Sequence, residues 1–83
     1  MSSPLFLGTD IGTFGTKSSI VNSEGEVISE SFVETDIIIP RPGWAEQWPD
    51  VWWQAYVESV KKALKKGGVD PADIAGVSIS GLY

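Results

Sequence analysis

A single stretch of helical periodicity, set between short β-type segments, most constrains what this chain of 83 residues can fold into. Pro49 suits the first position of a helix, and Gly67 followed by Gly68 suits its end. Between them, apolar residues recur at the spacing that places side chains on one helix face. We expect this apolar stripe to be buried in the core; it consists of Trp53, Tyr56, Val57, Val60 and Leu64.

Short apolar or β-branched segments, separated by turn residues, surround the predicted helix. Three of them precede it: a strand that begins at Leu5, a second over residues 16–22 and a third over residues 27–34. A fourth follows it over residues 74–80. Residues 35–48 contain three prolines or glycines and predict an extended connection that is not an element of its own. The predicted order is β-β-β-α-β with a mixed α/β sheet, in which the helix carries the chain over to a strand parallel to the first.

Composition excludes several classes of function. The chain has no cysteine and no histidine, so that disulfides and Cys or His metal sites are excluded and only carboxylates could hold a metal. The net charge of −5 offers no broad basic surface, and we therefore expect neither a nucleic-acid partner nor an anionic membrane. No apolar run approaches the roughly 20 residues that span a bilayer. We expect a cytoplasmic protein.

The candidate site is the Gly- and Thr-rich segment at residues 10–17, directly after the first predicted strand. Gly12 and Gly15 would let backbone N–H groups surround an anion, and Lys17 adds a positive charge that can reach a phosphate. The carboxylate of Asp10 would repel a bare phosphate, and it is compatible with one when Mg²⁺ and its bound water lie between them. On the motif alone, an ordinary hairpin turn capped by the carboxylate remains an alternative.

Two motifs make a resemblance specific. Asp10-x-Gly12-Thr13 followed by Lys17 resembles the first phosphate motif of the actin-like ATPase superfamily. Residues 42–55 read Pro-Gly-Trp-Ala-Glu-Gln-Trp-Pro-Asp-Val-Trp-Trp-Gln-Ala and resemble the Pro-Gly-Trp-x-Glu-Gln-x-Pro-x-x-Trp-Trp segment of the FGGY carbohydrate kinases. Within that family, the two runs at residues 12–17 and 52–55 are most similar to xylulokinases. The resemblance extends over nearly the whole chain.

The resemblance implies a partial RNase H-like (actin-like ATPase) domain, with residues 1–83 as the incomplete N-terminal part of the first of two kinase domains. It also implies transfer of the γ-phosphoryl group of ATP, with Mg²⁺, to a hydroxyl group of a small sugar or polyol. The implied catalytic base lies beyond residue 83, so we expect no catalytic residue here and no activity from the 83-residue chain alone. The implied contacts to Mg²⁺-ATP are Asp10 (to the metal, through water), Gly12, Thr13, Thr16 and Lys17, and Tyr83 is the candidate for a substrate contact.

Two other functions compete with a kinase. One is a non-enzymatic or chaperone-like member of the same superfamily, and the other is an autonomous small binding module with an accidental motif. The segment at residues 42–55 favours the kinase over the chaperone, which shares the phosphate motif and lacks that segment. Because the chain ends on a predicted strand and is rich in tryptophan, we expect a piece of a larger domain that self-associates through its exposed sheet edge and aromatic surface.

Overall fold

A mixed β-sheet with one long helix on one of its faces forms the body of the protein. The computed structural model describes residues 4–12, 14–35, 38–41, 44–46 and 49–81. A short 3₁₀ turn, Pro71–Asp73, links the helix to the last strand. The elements in chain order are β1 (Leu5–Ile11), β2 (Gly15–Asn22), β3 (Val27–Glu34), β4 (Ile38–Arg41), β5 (Trp44–Glu46), α1 (Pro49–Gly67) and β6 (Ile74–Gly81).

The main sheet has four strands in the order β3-β2-β1-β6. β1 pairs with β2, and β2 with β3, in antiparallel fashion, because tight turns join these strands. β6 returns after α1 and pairs with β1 in parallel, with Leu7 opposite Val77 and Asp10 opposite Ser80. This arrangement confirms the predicted mixed sheet and the helical crossover that brings the last strand, β6, alongside β1.

The expectation of a plain extended connection over residues 35–48 was wrong in one respect. β4 and β5 pair with each other as a separate antiparallel two-stranded sheet, with Ile38 opposite Glu46 and Arg41 opposite Trp44. Both strands are edge strands, where proline is tolerated because an edge residue does not need to donate to a ladder. Pro40 therefore lies within β4 instead of preventing it.

The helix faces the sheet with small residues, and this corrects the predicted stripe. Ala55, Ser59 and Ala63 are the buried positions of α1, whereas Trp53 is 64% exposed and stacks against Tyr56 at a centroid distance of 5.8 Å. Trp53 is therefore not a core residue. The remaining members of the stripe, which are Tyr56, Val57, Val60 and Leu64, are half-buried beside this contact line.

Hydroxyl groups explain why small residues face the sheet. Ser18 of β2 hydrogen-bonds both to Thr9 of β1 (2.9 Å) and to Ser59 of α1 (2.7 Å), and all three side chains are buried. On β3, the hydroxyl of Ser29 donates to the carbonyl oxygen of Ala63 at 2.7 Å. Such short bonds require the helix to lie close to the strands, and a bulky aromatic side chain between them would prevent that approach.

A compact apolar cluster completes the core. Leu7, Ile20 and Ala63 are buried together, and the partly buried residues Leu5, Val60, Leu64, Val69 and Ile74 pack against them. This cluster lies at the end of the sheet where the helix terminates, away from the β1–β2 turn. No helix within the described ranges is long and apolar enough to cross a membrane.

Candidate functional site

The β1–β2 hairpin carries most of the residues that the sequence singled out. Gly12 N–H donates to the carbonyl oxygen of Gly15 at 2.8 Å and closes the turn. Thr35, just after β3, donates its N–H to the carbonyl oxygen of Phe14 at 3.0 Å. The turn is thus tied to the third strand, and the Gly12 N–H is already used within the hairpin, so an anion would have to compete with that bond.

One row of side chains runs across the open face of the sheet, which is the face opposite α1. Cross-strand partners share a face, and the register pairs Ser80 with Asp10, Asp10 with Lys17, and Lys17 with Phe32. The row therefore brings together residues from all four strands. It places Asp10 and Lys17 on neighbouring strands of one face, close to the hairpin turn.

Asp10 is exposed and lies in this row with one described hydrogen bond. The hydroxyl of Ser80 donates to its Oδ1 at 3.2 Å. The described residues contain no group of three or more carboxylates, and this donor set is too small for an all-protein metal site. It does fit Mg²⁺, which keeps most of its waters and is commonly held by one or two carboxylates together with substrate phosphates.

Lys17 forms an ion pair that the sequence did not predict. Its Nζ lies 3.0 Å from Oε2 of Glu30, and Ser19 donates its hydroxyl to the same oxygen at 3.3 Å. The hydrogen bond and the charge of Lys17 lower the pKa of Glu30 below its ordinary value. The carboxylate is therefore charged at neutral pH, and the only basic residue of the four main strands rests against it.

Of the remaining predicted site residues, one lies on the helix side of the sheet and two lie outside the described residues. Thr16 is fully buried on the helix side of β2, and its Oγ1 has no hydrogen-bond partner among the described atoms. Its side chain therefore does not lie with those of Asp10 and Lys17, and only its backbone is shared with the hairpin. Thr13 and Tyr83 lie outside the described residues.

Gly15 owes its identity to its neighbours on β3. A Cβ atom at this position would lie 2.2 Å from Cζ of Phe32 and 2.7 Å from the carbonyl oxygen of Val33. The aromatic ring thus covers the glycine on the open face of the sheet. Glycine is required here for close approach, and this requirement keeps the base of the hairpin flat against β3.

An apolar recess lies on the helix side of the same end of the sheet. Its volume is about 230 Å³, and its lining residues are Ile11, Trp52, Trp53, Tyr56 and Ile79. Because these side chains offer almost no charge, the recess suits apolar contacts and does not suit a phosphate.

Comparisons with known proteins identify the family of this chain and its fold. The profile of the N-terminal domain of the FGGY family of carbohydrate kinases matches residues 5–83. A glycerol kinase from Halothermothrix orenii is 36% identical over 80 residues, which are 96% of this chain and 16% of that protein. The crystal structure of a xylulose kinase from Brucella ovis superimposes with a TM-score of 0.89 at 28% identity, covering 95% of this chain and 17% of that one.

A third relative widens the range of named substrates. The structure of a gluconate kinase from Lactobacillus acidophilus superimposes with a TM-score of 0.86 at 26% identity, covering 99% of this chain and 16% of its own. These structural neighbours confirm the predicted actin-like ATPase fold, present here as part of a domain. The chain spans about one-sixth of the length of the relatives that it matches. Because the profile of the family's N-terminal domain matches from residue 5 to residue 83, the chain belongs to the FGGY family of carbohydrate kinases.

Proposed function

We propose that the longer protein to which this sequence corresponds transfers the γ-phosphoryl group of ATP to a hydroxyl of a small sugar or polyol, and that the β1–β2 hairpin binds the phosphates. Membership of a carbohydrate kinase family supports the reaction class over the chaperone-like and binding-module alternatives. The observation that carries the site is the juxtaposition of Asp10 and Lys17 on the open face, at the base of a glycine hairpin.

Each residue of the hairpin has a distinct part in this proposal. Mg²⁺ would supply charge neutralisation on the phosphates. Asp10 would orient waters of the metal from its exposed position, with Ser80 holding one carboxylate oxygen. Gly12 would allow the backbone to approach the transferring phosphoryl group closely, and Lys17 would add positive charge. Positioning and electrostatic stabilisation of this kind are what phosphoryl transfer chiefly requires.

The acceptor belongs to the class of small polyhydroxylated molecules, and we propose a xylulokinase-like preference within it. The similarity of residues 12–17 and 52–55 to xylulokinases and the superposition on a xylulose kinase support this choice. A glycerol kinase is the relative with higher sequence identity, at 36%. Glycerol is therefore the competing acceptor, and kcat/KM of the full-length enzyme with xylulose, glycerol and gluconate would rank them.

Replacement of the hairpin carboxylate tests the phosphate-binding part of the proposal. In the full-length enzyme, we expect Asp10→Asn to lower kcat about 100-fold or more, because charge at a transferring phosphoryl group contributes several kcal/mol. The KM for the acceptor should change little, since the carboxylate serves the phosphates and not the sugar. Glu24→Gln is the matched control, because it removes one exposed negative charge from the β2–β3 turn at the far end of the sheet. Unchanged turnover of the Asp10 variant would refute the assignment.

The 83-residue chain alone should not phosphorylate a sugar. The catalytic base implied by the family resemblance lies beyond residue 83, and catalysis needs both reactants and the base in one geometry. Acceptor-dependent release of ADP from the rigorously purified chain, in the presence of Mg²⁺ and ATP, would contradict this expectation.

We also propose that this chain self-associates. Val77 and Ile79 of β6 are 58% and 57% exposed, and Trp53 adds a large exposed apolar surface on the same side of the sheet. In the described sheet order β6 is an outer strand, and outer strands recruit partners through unpaired backbone groups. Sedimentation velocity across micromolar concentrations should show dimers or larger assemblies, and a monomer throughout that range would contradict the proposal.

A further inference from the structure

The ammonium of Lys17 does not lie where the hairpin would use it. Lys17 is directly opposite Asp10 in the register and on the same face, yet its Nζ is placed 3.0 Å from the carboxylate of Glu30. Glu30 is paired with Ser19, which is two residues further from the hairpin turn than Lys17. The ion pair therefore directs the lysine side chain away from the turn and toward β3.

We propose that Glu30 is a positioning residue that holds the Lys17 ammonium away from the hairpin, and that a polyphosphate bound at the hairpin must displace this contact. This inference rests on the proposed phosphate-binding function and adds to it a residue that sets the affinity. The Lys17 ammonium cannot contact Glu30 and the phosphates equally well at the same time. The free energy of the Lys17–Glu30 ion pair is therefore lost when Lys17 turns to the phosphates, and the net gain from Lys17 in phosphate binding is smaller by that amount.

Glu30 is well placed to compete because its own position is fixed at several points. Ser19 donates to Glu30 Oε2, the same oxygen that Lys17 contacts, and Lys66 Nζ donates to the Glu30 carbonyl oxygen at 3.3 Å. The carboxyl group is ionised at neutral pH, and Lys17 lowers its pKa below the ordinary value. The competitor is thus an ionised carboxylate on a neighbouring strand, with a hydrogen bond from Ser19 in addition to its contact with Lys17.

The expected size of the effect follows from exposure. The side chains of Lys17 and Glu30 are 55% and 44% exposed, so that water screens the pair. Exposed ion pairs are worth a factor of about two to five in an equilibrium constant. Removal of the Glu30 charge should therefore tighten polyphosphate binding by about two- to fivefold, and this gain should depend on the presence of Lys17.

A double-mutant cycle on the 83-residue chain tests the inference, with magnesium pyrophosphate as the probe and amide NMR shifts as the measure of binding. Glu30→Gln should tighten binding by about two- to fivefold, and Lys17→Gln should weaken it. In the Lys17→Gln background, the Glu30 substitution should have no further effect. Glu30→Asp keeps the net charge and shortens the reach of the carboxylate, so we expect an intermediate gain.

The matched control is Glu58→Gln. Glu58 forms an exposed ion pair with Lys62 on α1 at 3.1 Å, and their side chains are 54% and 55% exposed. The variant therefore removes the same charge and a comparable pair elsewhere. It should leave pyrophosphate binding unchanged. Equal tightening by the Glu58 variant, or the same gain from Glu30→Gln with and without Lys17, would show a general charge effect and overturn the inference.

The remaining outcomes separate this inference from the proposed function. If Lys17→Gln weakens pyrophosphate binding and Glu30→Gln leaves it unchanged, the phosphate hairpin stands and the positioning role of Glu30 is overturned. If the wild-type chain shows no pyrophosphate binding at millimolar concentration, phosphate binding by the hairpin is overturned, and the positioning role of Glu30 is overturned with it.

Discussion

Two buried hydroxyl groups on the same strand should respond to removal in opposite directions. Thr16 and Ser18 are adjacent positions on the helix-facing side of β2, and both are fully buried. The Thr16 hydroxyl has no partner among the described atoms, whereas Ser18 bonds to both Thr9 and Ser59. We expect Thr16→Val to stabilise the fold and Ser18→Ala to destabilise it.

The magnitudes follow from what each substitution leaves behind. A buried hydroxyl without a partner costs about 1–3 kcal/mol, and valine has nearly the same shape as threonine, so Thr16→Val should raise the free energy of unfolding by about 1 kcal/mol. Ser18→Ala removes two hydrogen bonds and deprives Thr9 Oγ1 of its bond to Ser18. Its cost should be about 2 kcal/mol.

Urea unfolding, monitored by far-UV circular dichroism at a single protein concentration, measures this difference. We expect the stability order Thr16→Val, wild type, Ser18→Ala, with a separation of about 3 kcal/mol between the two variants. In thermal unfolding, each kcal/mol should correspond to about 4–8 °C for a domain of this size. A Thr16→Val variant less stable than the wild type would refute the reasoning, because it would mean that the hydroxyl is satisfied in solution.

Two further predictions concern the open face of the sheet. Gly15→Ala should lower the free energy of unfolding by about 1–3 kcal/mol, because the new methyl group would overlap the ring of Phe32. Gly8→Ala is the control, since a Cβ atom there meets nothing within 4 Å, and it should be nearly neutral in the same urea assay. The Glu30 pKa is lowered from 4.5 by Lys17, so the stabilisation from this pair should be present above about pH 4.5 and lost as the pH falls through the lowered pKa. Urea midpoints across the acidic range should show this loss for the wild type and not for Glu30→Gln, and parallel profiles would contradict it.

Much of the fold could be predicted from the sequence because local signals coincide with the elements. The third strand, Val27–Glu34, lies between a Gly-containing turn and the connection to the helix, and its predicted bounds are those of the structure. The helix α1 begins at the predicted proline and ends at the predicted glycine. The small two-stranded sheet of β4 and β5 was missed, because its strands are short and proline obscured the extended pattern.

The helix face could not be predicted from periodicity because two faces compete. Large apolar residues define one stripe, and the smaller residues Ala55, Ser59 and Ala63 define another with equally regular spacing. Hydrophobicity favours burial of the stripe of large residues. Only the stripe of small residues lets the helix come close enough to hydrogen-bond to the serines of the strands. The choice depends on the composition of the opposing sheet face, and no single-segment pattern contains that information.

The Lys17–Glu30 contact could not be predicted from the sequence, and a β-bulge in β3 explains why. The register pairs Val21 with Val27 and then, after a shift of one residue, Ile20 with Ser29. Without that shift, Glu30 would be opposite Ser18 and would face the helix, because a slip of one residue exchanges the two faces of a strand. The Lys17–Glu30 contact therefore arises from an irregularity that turn composition does not specify.

The hydroxyl contacts between β3 and α1 also fix the position of the helix along the strand. Ser29 and Ser31 are two strand residues apart, about 6.6 Å, and they donate to the carbonyl oxygens of Ala63 and Ser59, which are four helix residues or about 6 Å apart. These spacings match only when the helix runs opposite to the strand in this one alignment. Sliding the helix by a single residue would misalign both bonds at once, so the distance between the start of α1 and the β1–β2 hairpin is set to within a fraction of a turn.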